Sequence, residues 1–168
     1  MTNGTSTDAD IIRSGNGVHI INAGDGNDQI RGGIAADIIN GGNGDDKIIG
    51  NSGADVITGG TGIDQFRYFL ASDSGPGAGA DVITDYEIGV DRFNFSLFDT
   101  NPGLAGIQGF AFVGNAAFSG GGAAQLRYTD SGANLLVQAD IDGNGIADME
   151  IILQGQAGGT LTTADFIL

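Results

Sequence analysis

The sequence predicts an all-β protein: a parallel β-solenoid over residues 1–67, then an antiparallel β-sandwich-like cap over residues 68–168. Three observations predict it. A nine-residue repeat runs through the first part of the chain. Glycine supplies 32 of the 168 residues, well above the usual share of about 7%. All 12 aromatic residues, nine Phe and three Tyr, lie at Phe66 or beyond it. A turn-rich first part without large rings is thus joined to a second part that holds the material for a core.

Divided every nine residues from Thr5, the first part reads TSTDADIIR, SGNGVHIIN, AGDGNDQIR, GGIAADIIN, GGNGDDKII, GNSGADVIT and GGTGIDQFR. The sixth position holds Asp10, His19, Asp28, Asp37, Asp46, Asp55 and Asp64. The eighth holds Ile12, Ile21, Ile30, Ile39, Ile48, Ile57 and Phe66. Nine residues are too few for a helical repeat and too many for one strand. They fit a six-residue turn, GGxGxD, and a three-residue strand, x-apolar-x. Glycine tolerates the positive φ of such a turn and lets two backbones approach. Only the middle strand residue points inward, because side chains alternate. Two repeats close one coil with a turn at each edge. Stacked coils bring the apolar residues into columns and the acids into two ladders. One ladder is Asp10, Asp28, Asp46 and Asp64; the other is His19, Asp37 and Asp55.

Coils stack about 4.8 Å apart. Carboxylates at that spacing repel unless a cation neutralises them. Backbone carbonyls of the turns, at Gly24, Gly26, Gly33, Gly42, Gly44, Gly60 and Gly62, are expected in the same space. An all-oxygen donor set suits a hard cation, and Ca2+ fits best. The expected ligands are therefore Asp28, Asp37, Asp46, Asp55 and Asp64, with Asp10 at the start of its ladder and Asp25 and Asn43 assisting from the third position. About three to five ions would satisfy such ladders. Ala35 stands where a turn glycine is expected, and His19 should weaken or remove the site it shares with Asp37. Asp8 and Asp45, outside the sixth position, read as solvated charge.

These blocks resemble the RTX nonapeptide G-G-x-G-x-D-x-U-x, whose family forms a calcium-binding parallel β-roll. GGNGDDKII and GGTGIDQFR are near-complete copies. The resemblance covers residues 14–67 and reaches residues 5–13 only through Asp10 and the apolar column.

Beyond Phe66 the pattern turns to alternation. Asp81–Tyr86, Arg92–Phe98, Phe110–Val113, Gln125–Thr129, Asn134–Ala139 and Met149–Leu153 read as strands. Phe93, Phe95 and Leu97 should share one face. Ser72–Gly79 and Ser119–Gly122 read as loops, and a short helix fits Thr162–Phe166. Such a cap would close the open end of the coil stack. The runs ADVITDYEIGVDRFNFS, QLRYTD, NLLVQADIDGNGIADMEI and DFIL resemble the C-terminal domain of serralysin-type secreted metalloproteases. That resemblance implies an uncleaved type I secretion signal at Asp165, Phe166, Ile167 and Leu168. It allows a further Ca2+ site from Asp81, Asp85 and Asp91. It does not imply proteolysis, because no HExxH is present. Asp140-Ile-Asp-Gly-Asn-Gly145 opens like an EF-hand loop but has Ile151 where the bidentate Glu belongs. A hairpin turn is the plainer reading.

Charge and composition exclude much else. Six Lys and Arg face 21 acids, 19 of them Asp, for a net charge of −15. That sign argues against nucleic acid and anionic membranes, which need a basic patch. No Cys is present, and one His cannot build a zinc cluster. No apolar run approaches the roughly 20 residues of a spanning helix. G-x-S-x-G and G-x-x-x-x-G-K-[ST] are absent, so no enzyme is expected. MTNGTSTDAD lacks the basic and apolar regions of a secretory signal peptide.

The functional expectation is an extracellular or cell-surface Ca2+-binding module. It would pass through a type I exporter (ABC transporter, adaptor and outer-membrane channel) and fold on meeting Ca2+ outside. Two alternatives stay open. One is a Ca2+-stabilised polysaccharide-binding or adhesion module. Against it stand the −15 charge, which an acidic polymer would meet, and the lack of an exposed aromatic platform in the roll. The other is the non-catalytic C-terminal fragment of a larger secreted enzyme or toxin.

Overall fold

The structure is a computed structural model that describes residues 2–3, 7–103 and 105–168. Thr5 and Ser6, which open the first repeat, lie outside the described residues. A short β1 (Thr2–Asn3) precedes the repeats, which form β2 (Ile11–Gly15), β3 (Ile20–Asp25), β4 (Gln29–Gly33), β5 (Ile38–Asn43), β6 (Lys47–Asn51), β7 (Val56–Thr61) and β8 (Gln65–Arg67). Alternate strands fall into two parallel sheets. The apolar columns set the register: Ile21 pairs with Ile39 and Ile39 with Ile57 in one sheet. Ile12, Ile30, Ile48 and Phe66 follow in the other.

Most of these strands run longer than the expected three residues. β5 continues into the turn, and both Ile39 and Gly41 are buried. Each repeat therefore has two inward positions, the eighth and the first of the next block. The first position stays small for a reason seen at Gly41, where a Cβ would strike Asp46 Oδ2 and the Gly59 carbonyl oxygen. At Gly42, with φ +116°, a Cβ would land on the Gly24 carbonyl oxygen one coil away. Asn51 takes an equivalent turn position at φ 63°, a left-handed conformation that Asn accepts.

The second part adds β9 (Asp81–Ile83), β10 (Arg92–Asn94), β11 (Ala111–Phe112), β12 (Gln125–Ser131), β13 (Asn134–Asp140), β14 (Met149–Leu153) and β15 (Phe166–Ile167). It does not begin new sheets. The first sheet runs β1-β3-β5-β7-β9-β14-β13-β12-β11, and the second runs β15-β10-β8-β6-β4-β2. Antiparallel pairing, expected across the cap, joins only β12, β13 and β14. β9, β10 and β15 extend the roll in parallel. The inward columns continue through Ile83, Leu153 and Leu135 on one side and through Phe93 and Phe166 on the other. Here the isoleucines give way to rings. Tyr86 stacks on Phe93 at 4.7 Å, and Phe93 on Phe166 at 5.6 Å.

Two details differ from the sequence expectation. Leu97 is 53% exposed, and Phe98 is buried in its place. The strand ends at Asn94, and a turn in which the Phe98 N–H donates to the Phe95 carbonyl shifts the alternation. At the terminus only a 3-10 turn, Thr163–Asp165, forms before β15.

Candidate metal centre

The sixth-position acids are built into the roll by backbone hydrogen bonds. Each Oδ1 accepts the N–H of the sixth-position residue one coil earlier. Asp10 donates to Asp28 (2.7 Å), Asp28 to Asp46 (2.8 Å) and Asp46 to Asp64 (2.9 Å). On the other edge His19 donates to Asp37 (2.7 Å) and Asp37 to Asp55 (2.8 Å). These bonds hold the carboxyl groups inward, and Asp28, Asp37, Asp46, Asp55 and Asp64 are at most 1% exposed.

The second oxygen is left over. Oδ2 of all five residues is buried and has no hydrogen-bond partner. A buried charged oxygen without a partner is costly. Moreover, the nearest neighbours make matters worse. A point at a Cβ's distance from Gly32 lies 2.8 Å from both Asp37 Oδ2 and the Gly50 carbonyl oxygen. Two acceptors share that space with no donor between them. Burial, the dominant cause, pushes Asp46 and Asp55 up to about 6 and Asp64 to about 7; backbone donors oppose it and neighbouring carboxylates add to it. A cation beside Oδ2 would stabilise the ionised carboxylate against that burial. The donor set, carboxylate and carbonyl oxygen in a cradle too small for a side chain, fits Ca2+.

The ladders run further than the repeat. The Asp55 N–H donates to Asp81 Oδ1 (2.9 Å) and the Asp64 N–H to Asp91 Oδ1 (3.0 Å). Asp81 and Asp91 thus end opposite ladders. Their second oxygens have protein donors: the Tyr68 hydroxyl to Asp81 Oδ2 (3.1 Å) and the Glu87 N–H to Asp91 Oδ2 (2.8 Å). Asp85 accepts the Gly59 and Gly60 N–H groups, each at 2.9 Å. So Asp81, Asp85 and Asp91 do not gather into one site.

Other expected ligands sit differently. Asp25 and Asn43 are exposed and spend their side chains on each other, with Asn43 Nδ2 donating to Asp25 Oδ1 (2.6 Å). Thr61 continues that outer ladder by donating to Asn43 (2.9 Å). Asp10 is half-buried and is not among the acids with an orphaned oxygen. The carbonyl oxygens of Gly24, Gly26, Gly42 and Gly44 pack against the backbones of Gly42, Gly44, Gly60 and Gly62 in the next coil, and Gly33 packs against Gly15. The carbonyls beside the orphaned carboxylates include those of first-position residues, Gly50 and Gly59. The invariance of small residues in that column was the available signal for them.

In the hairpin between β13 and β14, carboxylate oxygens of Asp140, Asp142 and Asp148 lie within 4.8 Å of one another. Both oxygens of buried Asp140 are taken, by the Asn144 and Gly145 N–H groups. The segment joins two antiparallel strands, as the hairpin reading expects, and it brings these three acids together.

The same architecture is found in known proteins. The family model described as Peptidase M10 serralysin C terminal matches residues 11–168. The chain belongs to the serralysin C-terminal family. This is an RTX-type calcium-binding module, the non-catalytic C-terminal part of a peptidase family. Metallopeptidase AprA of Pseudomonas marginalis is 43% identical over 93 residues, which are 55% of this chain and 18% of AprA. The chain thus spans less than a fifth of that relative. The AlgE6R3 subunit of the Azotobacter vinelandii mannuronan C5-epimerase, solved in solution, has a TM-score of 0.59 at 25% identity, covering 99% of this chain and 82% of that one. The AlgE6R2 subunit shares the fold at 24% identity, with a TM-score of 0.55 and coverage of 94% and 91%.

Proposed function

We propose that this chain is a non-enzymatic folding and export module whose roll is completed by Ca2+ outside the cell. The observation that carries it is the row of buried Oδ2 atoms without partners at Asp28, Asp37, Asp46, Asp55 and Asp64. Bound Ca2+ would neutralise them and tie successive coils together, and its binding energy becomes folding energy. Extracellular modules work at about 10⁻⁴ to 10⁻³ M Ca2+, so in a Ca2+-poor interior the ladders would oppose compaction and the chain would stay open for a type I exporter.

The C-terminus supports the same order of events. Phe166 is buried in the ring cluster and pairs with Phe93 in β15. Asp165 accepts the Gly89 N–H (2.8 Å) and the Thr162 N–H (2.7 Å). Asp165–Leu168 would be readable as an export signal before folding; after it Asp165 and Phe166 are buried, and Leu168 stays exposed.

The test is circular dichroism and X-ray scattering of the chain in EGTA and in millimolar Ca2+. The expected result is a chain whose roll is expanded in EGTA and which compacts, with a gain of β structure, on adding Ca2+. A compact β fold in EGTA that ignores Ca2+ overturns the proposal. Deleting Asp165–Leu168 should abolish export from cells that carry a type I exporter; undiminished export removes the signal from the proposal.

A further inference from the structure

We propose that the outer face of the second sheet is a binding track for a linear anionic polysaccharide. Five successive strands of that sheet, β2, β4, β6, β8 and β10, each carry one cation at an outward position: Arg13, Arg31, Lys47, Arg67 and Arg92. These are five of the six Lys and Arg residues of the chain. No acid occupies an outward position on these five strands, although the chain has 19 Asp. Four of the cations, Arg13, Arg31, Lys47 and Arg67, line one open groove together with Ile11 and Ile49.

Folding alone does not account for this placement. Arg13 and Arg31 are direct register partners on adjacent strands, where like charges repel. Among the described residues, none of the four makes an ion pair with a carboxylate. Arg67 instead lies 5.5 Å from the Phe69 ring centre. The face is thus the mirror of the edges. The edges gather acids and demand a cation, and the face gathers cations and leaves them unneutralised.

The form of the track selects its occupant. The charges advance one per strand, about 4.8 Å at a time, along the axis of the stack. A linear polyanion lying across the strands meets them in turn. Gln29 and Gln65 stand between the cations on the same face, and amides suit the hydroxyl groups of a sugar chain. The groove has no aromatic lining, which disfavours single-stranded nucleic acid bound by base stacking. The net charge of −15 is an average over the whole chain, and this face carries cations without acids.

The experiment is titration calorimetry of the full chain, saturated with Ca2+, against a size-defined oligogalacturonate over a salt series. Neutral dextran and oligothymidylate are run beside it. The expected result is binding to the uronate alone, weakening with salt, and about tenfold weaker in the Arg13→Gln, Arg31→Gln, Lys47→Gln variant with a shallower salt dependence. If the triple variant does not fold in Ca2+, Arg31→Gln and Lys47→Gln carry the test singly, each expected to bind about two- to threefold more weakly. No binding by the folded parent overturns the proposal. So does unchanged binding by the variants, which moves the contact to Ca2+ bridges at the edges. Equal or tighter binding of oligothymidylate overturns it, as does a dimer by sedimentation that the substitutions dissolve. Failure of the calcium proposal reads separately, as a chain whose fold ignores Ca2+.

Discussion

The roll and the cap handle the same problem, a buried carboxylate, in opposite ways. In the roll, Asp28, Asp37, Asp46, Asp55 and Asp64 each keep one oxygen without a partner. In the cap, Asp81, Asp91, Asp140 and Asp165 are also buried, yet both oxygens of each accept hydrogen bonds from protein donors. The change falls where the repeat ends. A nine-residue unit is too short to carry a spare donor, and its inward first position admits only a small residue. The steps from Asp55 to Asp81 and from Asp64 to Asp91 are 26 and 27 residues instead of 18. The longer connections bring Tyr68 and Glu87 to the last rungs. The teaching is that the roll depends on an outside ion, whereas the cap is complete in its own chemistry.

The largest effect should come from Asp46→Ala. It removes an orphaned oxygen and also the acceptor for the Asp28 N–H. The Ca2+ concentration at half-folding should rise by about tenfold or more, and Asp91→Asn should move it far less. A dichroism titration with Ca2+ compares the two.

Next comes pH. Asp46, Asp55, Asp64 and Asp81 are raised from 3.8 to about 6, 6, 7 and 8. The metal-free fold therefore binds more protons than the unfolded chain, and its stability falls as pH rises from about 4 to about 8. Calcium binding has the opposite sign, since protons compete for the same oxygens. In metal-free buffer the β signal by dichroism should be larger at pH 5 than at pH 8, with the order reversed in Ca2+.

Tyr68→Phe sharpens the contrast at one rung. It strips the donor from Asp81 Oδ2 and makes that residue resemble a roll acid. The metal-free fold should lose about 1–3 kcal/mol, and Ca2+ should restore part of it. The smallest effect is expected at His19→Ala. His19 contributes its N–H to Asp37, which any residue can supply, and a ring contact of 3.3 Å with the same carboxylate. The Ca2+ midpoint should shift by less than about twofold.

Much of this was legible in the residues. The sixth and eighth columns place the two ladders and the two Ile columns correctly, because a strict period leaves one way to stack them. The second inward column was not, since Gly41 or Gly59 in a turn motif looks conformational until the Asp carboxylate is seen folded over it. The continuity of the sheets was hidden as well. β9, β10 and β15 pair in parallel across chain intervals with no fixed period, so alternation in Asp81–Ile83 names a strand and not its partner. Tyr68 carries no local mark of its bond to Asp81. The cationic face could have been read from Arg13, Arg31 and Arg67, which share the ninth repeat position, but the net charge drew attention to the acids instead.

The most direct measurement is amide hydrogen exchange, residue by residue, in EGTA and then in millimolar Ca2+. If the roll alone depends on the ion, protection at Ile30, Ile39, Ile48 and Ile57 disappears in EGTA and returns with Ca2+, while Leu135, Val137 and Ile151 keep more of theirs throughout. Roll amides that stay protected in EGTA to the same degree as those of the cap contradict the account.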